Sequence, residues 1–413
     1  MESISLDRIE IKQNLVLYHY SVSDGLKLFF KSNVMFLEYE QDMSQVPVSL
    51  LTVPFVSCMA GLMWLTNCKV FVDEIDKTFY DSFFRIRRAF QDIFHYIPLK
   101  GQLVPSIFRQ NEIAESENSL LLFGGGVDCH CSFVRNKKRI GHICNIYGWL
   151  SSSQAIDKVD ESDCRLTGAF AHRMGVISHH VRSNFASQFN LVEIDRRYRV
   201  SYWYCFLHSL AFISIAVPIC IKDGISRIYI ASSYSKEHTD VRCASYVTTD
   251  SEFRFARNGQ VIHDGFELNR QEKVKVLVDY QKSQKTEYPI QACSFNDRNC
   301  CECEKCFRTI IEIVAENGDP RDFGFIINGS LKDHWERIIK RDIALWGIDE
   351  ERLWRNLALY RMRENYNNIQ DKEFVDWFLN FDFDKAKRDG LKRYYRQNFF
   401  SILKRKIRER LHR

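Results

Sequence analysis

Residues 120–123 read Leu-Leu-Leu-Phe and run directly into Gly124-Gly125-Gly126. Apolar residues without alternation suit a strand buried on both faces, the kind used in parallel sheets, and the glycines end it in a tight turn. Similar runs follow. Residues 140–147 form a second candidate strand ending at Gly148, and Leu191-Val192-Glu193-Ile194 reads as a third. Arg227-Ile228-Tyr229-Ile230-Ala231 is a clear fourth, ending in Ser232-Ser233. Helical stretches separate these runs, so the sequence predicts an α/β chain built on a doubly wound parallel sheet.

The flanking regions differ in pattern. Val70-Phe71-Val72-Asp73 reads as a short strand, and residues 76–96 carry Phe79, Phe83, Ile86, Phe90 and Ile93 on one helical face. A turn at residues 99–102 leads to another short strand at Leu103-Val104. The polar run at residues 111–118 reads as a surface connection, and beyond residue 325 the pattern is helical over 331–341, 350–364 and 371–379. The expected division is an α/β accessory region at 1–112, a central domain at 113–324 and a helical extension at 325–413.

Two apolar stretches bear on membranes. Residues 203–221 approach the roughly 20 needed for a crossing, but His208 and Pro218 within them favour a buried helix. Pro47, Pro54 and Gly61 break up residues 46–65, which read as a loop and a short helix. No transmembrane segment is expected. The first residues carry acids and no basic stretch before an apolar run, so the expected location is the cytoplasm, where thiols stay reduced. Among the fourteen cysteines, Cys58, Cys68, Cys144, Cys164, Cys205, Cys220 and Cys243 then read as small buried hydrophobes.

The net charge of +5 is unevenly placed: residues 385–413 hold twelve Lys/Arg and only two acids. Such a tail suits an acidic surface, membrane phosphate or nucleic acid. It also reads as an amphipathic helix that docks through Leu391, Tyr394, Tyr395, Phe399, Ile402, Leu403 and Ile407. Both readings stand at this level.

A glycine turn between a strand and a helix brings backbone N–H groups close to an anion, and the helix N-terminus adds positive potential. The same turn also serves as a plain tight connection. Neither a Walker A loop nor a dinucleotide G-x-G-x-x-G is present. Far downstream, Cys293, Cys300, Cys303 and Cys306 follow C-x6-C-x2-C-x2-C spacing with Cys301 as an extra thiol. Four thiolates at such spacing close a tetrahedral zinc shell and leave no open position, which makes the ion structural. An iron–sulfur cluster and a redox thiol group are the alternatives.

Phe123-Gly124-Gly125-Gly126-Val127-Asp128-Cys129 resembles the F-S-G-G-x-D-S loop of the PP-loop ATP pyrophosphatases, with Gly124 and Cys129 in place of the two serines. The cysteine run is similar to that of the 7-cyano-7-deazaguanine synthases of the same superfamily, with Cys301 at a glycine position. Together the two motifs cover residues 115–315. The resemblance implies an adenine nucleotide alpha hydrolase-like fold that binds ATP and magnesium, adenylates a substrate and releases pyrophosphate. It implies nucleotide contacts from Gly124, Gly125, Gly126, Val127, Asp128 and Cys129, with Asp128 organising magnesium or pyrophosphate. The two lost hydroxyls remove hydrogen bonds to pyrophosphate, each worth on the order of 1.5–3 kcal/mol.

Other residues are candidates to complete a site. Gly148 and the strand end at Ser232 and Ser233 are expected near the nucleotide. His263 and Asp264 suit acid–base chemistry, and Arg270 and Lys273 share a helical face suited to phosphate. A cysteine at a helix N-terminus is expected to have a lowered pKa, which makes Cys129 or Cys131 a candidate nucleophile. The expected function is an ATP-dependent, AMP-forming ligase or transferase acting on a carboxylate or carbonyl of a small molecule, modified peptide or sugar. The alternatives are a catalytically impaired relative that binds a nucleotide or a partner, and a zinc-stabilised nucleic-acid binder.

Overall fold

The computed structural model describes residues 2–149, 154–238, 240–293, 298–346 and 348–411. It divides into two units, 1–273 and 274–413, rather than at 112 and 324. The first unit holds one eleven-stranded sheet. Its strands are β1 (Ser3–Lys12), β2 (Leu15–Val22), β3 (Val34–Glu38), β4 (Lys69–Asp76), β5 (Gln102–Arg109), β6 (Ser119–Leu122), β7 (Ile140–Tyr147), β8 (Ile177–Ser183), β9 (Arg227–Ala231), β10 (Arg254–Phe255) and β11 (Gly259–Asp264). The helices of the chain are α1 (Val48–Thr66), α2 (Lys77–Ile93), α3 (Val127–Asn136), α4 (Gln154–Met174), α5 (Leu191–Tyr198), α6 (His208–Asp223), α7 (Val247–Asp250), α8 (Arg270–Gln284), α9 (Glu304–Ala315), α10 (Leu331–Asp342), α11 (Ile348–Glu364), α12 (Lys372–Asn380) and α13 (Phe383–Leu411).

The sheet order is β10-β11-β9-β6-β7-β8-β3-β2-β1-β4-β5, and the fold is α/β with a large, mostly parallel sheet. β11, β9, β6, β7 and β8 are mutually parallel. The chain moves outward from β6 through β7 to β8, then returns to the other side of β6 for β9 and β11. The order therefore reverses at β6, where the glycine turn leaves the sheet.

Both faces of these strands are covered. Leu120, Cys144, Ile146, Val181, Ile228, Ile230 and Val261 pack into one core with α1 and α6. Leu121, Ile143 and Tyr229 alternate with them and are buried on the opposite face. Phe170 of α4 lies 4.7 Å from Phe123 and 4.9 Å from Phe133 of α3, centroid to centroid.

The first 110 residues extend this sheet. β1, β2 and β3 are antiparallel, and β3 pairs with β8 at Leu37 opposite Ser183 and Glu38 opposite Arg182. Asn184 Oδ1 accepts from Phe36 N at 2.8 Å, and the Tyr39 hydroxyl donates to Ile215 O at 3.1 Å. The polar run after β5 also joins the fold: Asn111 donates to buried Asp76, which caps α2 through Phe79 N and accepts from Ala256 N.

Two sequence expectations fail in this unit. Residues 191–194 start α5, not a strand, and the third parallel strand is β8. Residues 46–65 are not a loop with a short helix, because α1 runs 19 residues through Pro54. An interior proline costs about 3 kcal/mol, which burial of nearly every α1 side chain offsets. Gly61 does not break α1; it allows close packing, since a Cβ there would lie 2.7 Å from Phe206 Cβ. The stretch from 203 is helical as expected, with a π-helical turn at Trp203–Leu207 leading into α6. α1 and the 203–223 segment are long and apolar enough to cross a membrane, yet their apolar windows are 89% and 78% buried inside the fold. Of the seven scattered cysteines, only Cys164 is less than fully buried.

The second unit is helical. Phe307 of α9 lies 4.4 Å from Trp335 of α10 and 5.1 Å from Trp346, and these rings form its core. Helices α10, α11 and α12 match the expected positions within a few residues. α13 docks through its first turns, where Phe383 and Lys387 are buried and the Lys387 ammonium donates to Trp346 O, and Arg393 donates to Lys340 O at 2.9 Å. Tyr394 and Tyr395, expected on the docking face, are exposed. The side chains of Phe399, Ile402, Leu403 and Ile407 lie outside the described residues.

Gly61→Ala is expected to destabilise the chain by about 1–3 kcal/mol through overpacking. Gly168→Ala in α4, where a Cβ meets nothing within 4 Å, is expected to stabilise it by about 0.5–1 kcal/mol. Denaturant midpoints of the two variants check this; an unchanged or raised midpoint for Gly61→Ala would show that Gly61 is not a packing contact.

Candidate functional site

The glycine turn owes its shape to its residues. Phe123 N donates to Cys144 O and closes the end of β6. Gly125 has φ +76°, a conformation that glycine adopts without strain. Gly126 is the N-cap of α3 and brings no side chain to its first turn. Gly124 is under no such constraint, because its φ is ordinary and a Cβ would meet open space.

Asp128, in the first turn of α3, is the meeting point of the site. Lys273 Nζ lies 3.2 Å from Asp128 Oδ1, and Arg270 Nη1 lies 3.6 Å from Oδ2. Lys273 also donates to Ser232 O at the end of β9, and its side chain is 3% exposed. Removing an ammonium from water costs several kcal/mol, and here a carboxylate and a carbonyl compensate. Arg270 and Lys273, one turn apart at the start of α8, thus bring two cations to the glycine turn.

A cleft of about 300 Å³ opens beside Asp128, with Arg270 and Lys273 outside its lining. Gly124, Gly126, Val127's neighbour Asp128, Cys129 and Ser233 line it, together with residues the sequence reading missed: Asn145, His208, Phe212 and Ser245. Asn145 is buried and donates to Phe123 O at 3.3 Å, and its Oδ1 has no partner among the described residues. A lone asparagine within Ile143-Cys144-Asn145-Ile146 was the available signal. Val127 itself is buried beneath the turn.

Other candidates are placed differently. Gly148 does not line the cleft; its N–H donates to Asp160 at 3.1 Å. The Ser232 hydroxyl turns to Tyr234 O. His263 and Asp264 alternate along β11 and do not act together. Buried His263 bonds Asp250 at 2.8 Å, while Asp264 accepts from Ser132 and Asn136 of α3. The expected low-pKa thiols are also corrected. Burial pushes both Cys129 and Cys131 up to about 12, outweighing the helix terminus, and Cys129 donates to Gly126 O. A larger cleft, about 540 Å³, lies within the second unit, but charged residues on its wall such as Arg321 and Asp319 pair with each other.

The cysteine cluster, also in the second unit, can hold a metal ion such as zinc. Cys293 Sγ lies 3.2, 3.6 and 3.6 Å from those of Cys300, Cys303 and Cys306, and Cys300 lies 3.9 Å from Cys306. A tetrahedron with Zn–S bonds of about 2.3 Å has edges of about 3.8 Å, so the thiols fit the shell. Backbone N–H groups of Cys300, Glu302 and Cys306 donate to three of the sulfurs, which favours thiolates. Hydrogen bonding with the Cys300, Cys303 and Cys306 sulfurs holds Cys293 well below the usual thiol range. Cys301 stays outside the shell and bonds Asn299 O instead. Its φ of +55° is left-handed, the conformation that suits glycine.

The full chain is expected to hold one metal ion on this set. Cys303→Ser should lower the stoichiometry and the melting temperature, whereas Cys301→Gly should leave the stoichiometry unchanged. Elemental analysis decides: equal losses in both variants would contradict the four-ligand assignment.

No family model matches the chain, and no curated protein matches it in sequence.

Proposed function

We propose that the parallel part of the sheet is doubly wound in the manner of the adenine nucleotide alpha hydrolase-like fold, and that the chain is an ATP-dependent, AMP-forming ligase or transferase. The observation that carries this reading is the convergence of Lys273 and Arg270 on Asp128 at the glycine turn, where the strand order reverses. Ligands of open α/β sheets sit at such reversals, beyond the C-terminal ends of the strands.

On this reading the backbone N–H groups of the turn and the start of α3 face the phosphates of ATP. Lys273 and Arg270 give part of their pairing with Asp128 to phosphate oxygens and stabilise charge as pyrophosphate leaves. Asp128, relieved of a cation, helps hold magnesium, which supplies further neutralisation of the triphosphate. Asn145 Oδ1 offers an acceptor to a ligand N–H. The substrate is a carboxylate or carbonyl compound, a small molecule or a modified peptide or sugar. His263 and Asp264 act from outside the cleft, as supports for α7 and α3. Zinc on Cys293, Cys300, Cys303 and Cys306 supports structure only, and a reducing cytoplasm suits the chain's thiols.

One observation favours an impaired, nucleotide-binding relative: Cys129 presents a buried, neutral thiol bonded to its own turn. The loop decides between these readings. Gly124→Ser fits without a clash, and Cys129→Ser is nearly isosteric. Restoring one hydroxyl contact is expected to tighten ATP binding about tenfold or more, and Arg270→Ala to weaken it by a similar factor. Calorimetry with Mg·ATP reads both; no response to either change removes the nucleotide site. Wild-type turnover, read as AMP and pyrophosphate and abolished by Asp128→Ala, separates the enzyme from the impaired relative.

α13 supports a contact with an acidic surface, since Lys392, Arg393, Tyr394, Tyr395 and Arg396 are all exposed. Binding to RNA that falls steeply with salt and is lost on deleting residues 392–413 is expected of a nucleic-acid partner. Binding unchanged by the deletion would exclude that role for the tail.

A further inference from the structure

Two histidines and an aspartate meet in the first unit at the end of the sheet opposite the glycine turn. His142 lies near the start of β7, His179 lies on the adjacent β8, and Asp223 is the last residue of α6. His142 stands opposite Ile177 and Cys144 stands opposite His179, so the imidazoles are diagonal neighbours on one face. Their side chains are 8% and 4% exposed, and that of Asp223 is 18% exposed.

The ligand atoms form a small triangle. His142 Nδ1 and His179 Nε2 are 3.0 Å apart, and Asp223 Oδ2 lies 3.8 Å from the first and 3.5 Å from the second. A tetrahedral ion with nitrogen and oxygen ligands at about 2.0–2.2 Å has edges of about 3.3–3.6 Å. The three separations bracket that length. As a purely hydrogen-bonded cluster the arrangement is poor. The imidazole pair shares one proton, and the carboxylate oxygen is too far from either ring for a good bond yet converges on the same point.

A supporting contact is present as well. Gln41 Nε2 donates to both Asp223 oxygens, at 3.1 and 3.2 Å, and fixes the carboxylate plane. Outer partners of this kind orient the ligands of metal centres.

We propose that His142, His179 and Asp223 bind a divalent transition-metal ion of borderline softness, of which Zn²⁺ is the type. Two imidazoles and one carboxylate suit such ions and disfavour Ca²⁺ and Mg²⁺, which prefer all-oxygen shells. The site is independent of the cysteine set, with which it shares no residue. It ties β7, β8 and the end of α6 together and leaves a fourth position for water or another small ligand.

The test is Co²⁺ loading of the full chain, with bound metal counted and its absorption recorded. Two ions per chain are expected, one with a thiolate charge-transfer band and one with ligand-field bands alone. His179→Gln and Asp223→Asn should each reduce the count from two to one while leaving the thiolate band, which also reports that the cysteine site remains folded. Zinc-edge absorption of zinc-loaded wild type needs no variant, and a mixed sulfur and nitrogen/oxygen shell is expected. A sulfur-only shell, or a count unaffected by both substitutions, overturns the proposal.

Discussion

A buried ammonium cannot be left without partners, and Lys273 sets the terms for the site around it. Its two contacts, Asp128 at the start of α3 and the carbonyl of Ser232 after β9, come from different strand–turn units. The pair fixes the start of α8 against the glycine turn and places Arg270 beside it. Losing either partner leaves a charge in a poorly hydrated place, a penalty of about 3–5 kcal/mol. Geometry that anchors a cation this firmly at a backbone turn also provides positive charge where an anionic ligand would arrive. The same interaction therefore serves folding and the proposed chemistry.

The rest of the first unit holds that turn in place. β6 lies in the interior of the sheet, with β7 and β9 on either side, and two helical layers cover its faces. The antiparallel strands β1 to β3 continue the sheet beyond β8, with β4 and β5 outside them, and they share the α1–α6 core. This explains why residues before 112 form no separate body. Two side-chain clusters that could hold a metal ion offer a different kind of support. Four thiols converge on one point in the second unit, and two imidazoles with a carboxylate do so at the far end of the sheet.

The parts legible in the sequence were those whose local pattern and tertiary role agree. The apolar runs of β6, β7 and β9, the helical face of α2 and the cysteine spacing all fall in this class. The failures have specific causes. Leu191-Val192-Glu193-Ile194 is too short for periodicity to separate strand from helix, and the polar continuation Asp195-Arg196-Arg197 belongs to the same helix. β8 was hidden because Val181 is the single aliphatic residue on its buried face, between His179 and Ser183. Pro54 and Gly61 read as breakers, yet burial outweighs the proline and Gly61 is a helix–helix contact. Arg270 and Lys273 were placed on one helical face from their spacing, but their pairing with Asp128 was not foreseen, since nothing local links residue 128 to residue 273. Asn145 and the extra Cys301 make sense only once burial and a left-handed φ are known.

The central claim is that the glycine turn and its two cations form a triphosphate site. A crystal structure of the chain with magnesium and a non-hydrolysable ATP analogue tests it most directly. The account predicts phosphate oxygens on the backbone N–H groups of residues 125–127, with Lys273 and Arg270 turned towards them and Asp128 near the metal. A nucleotide bound elsewhere, with Lys273 still held by Asp128 and Ser232, would contradict it.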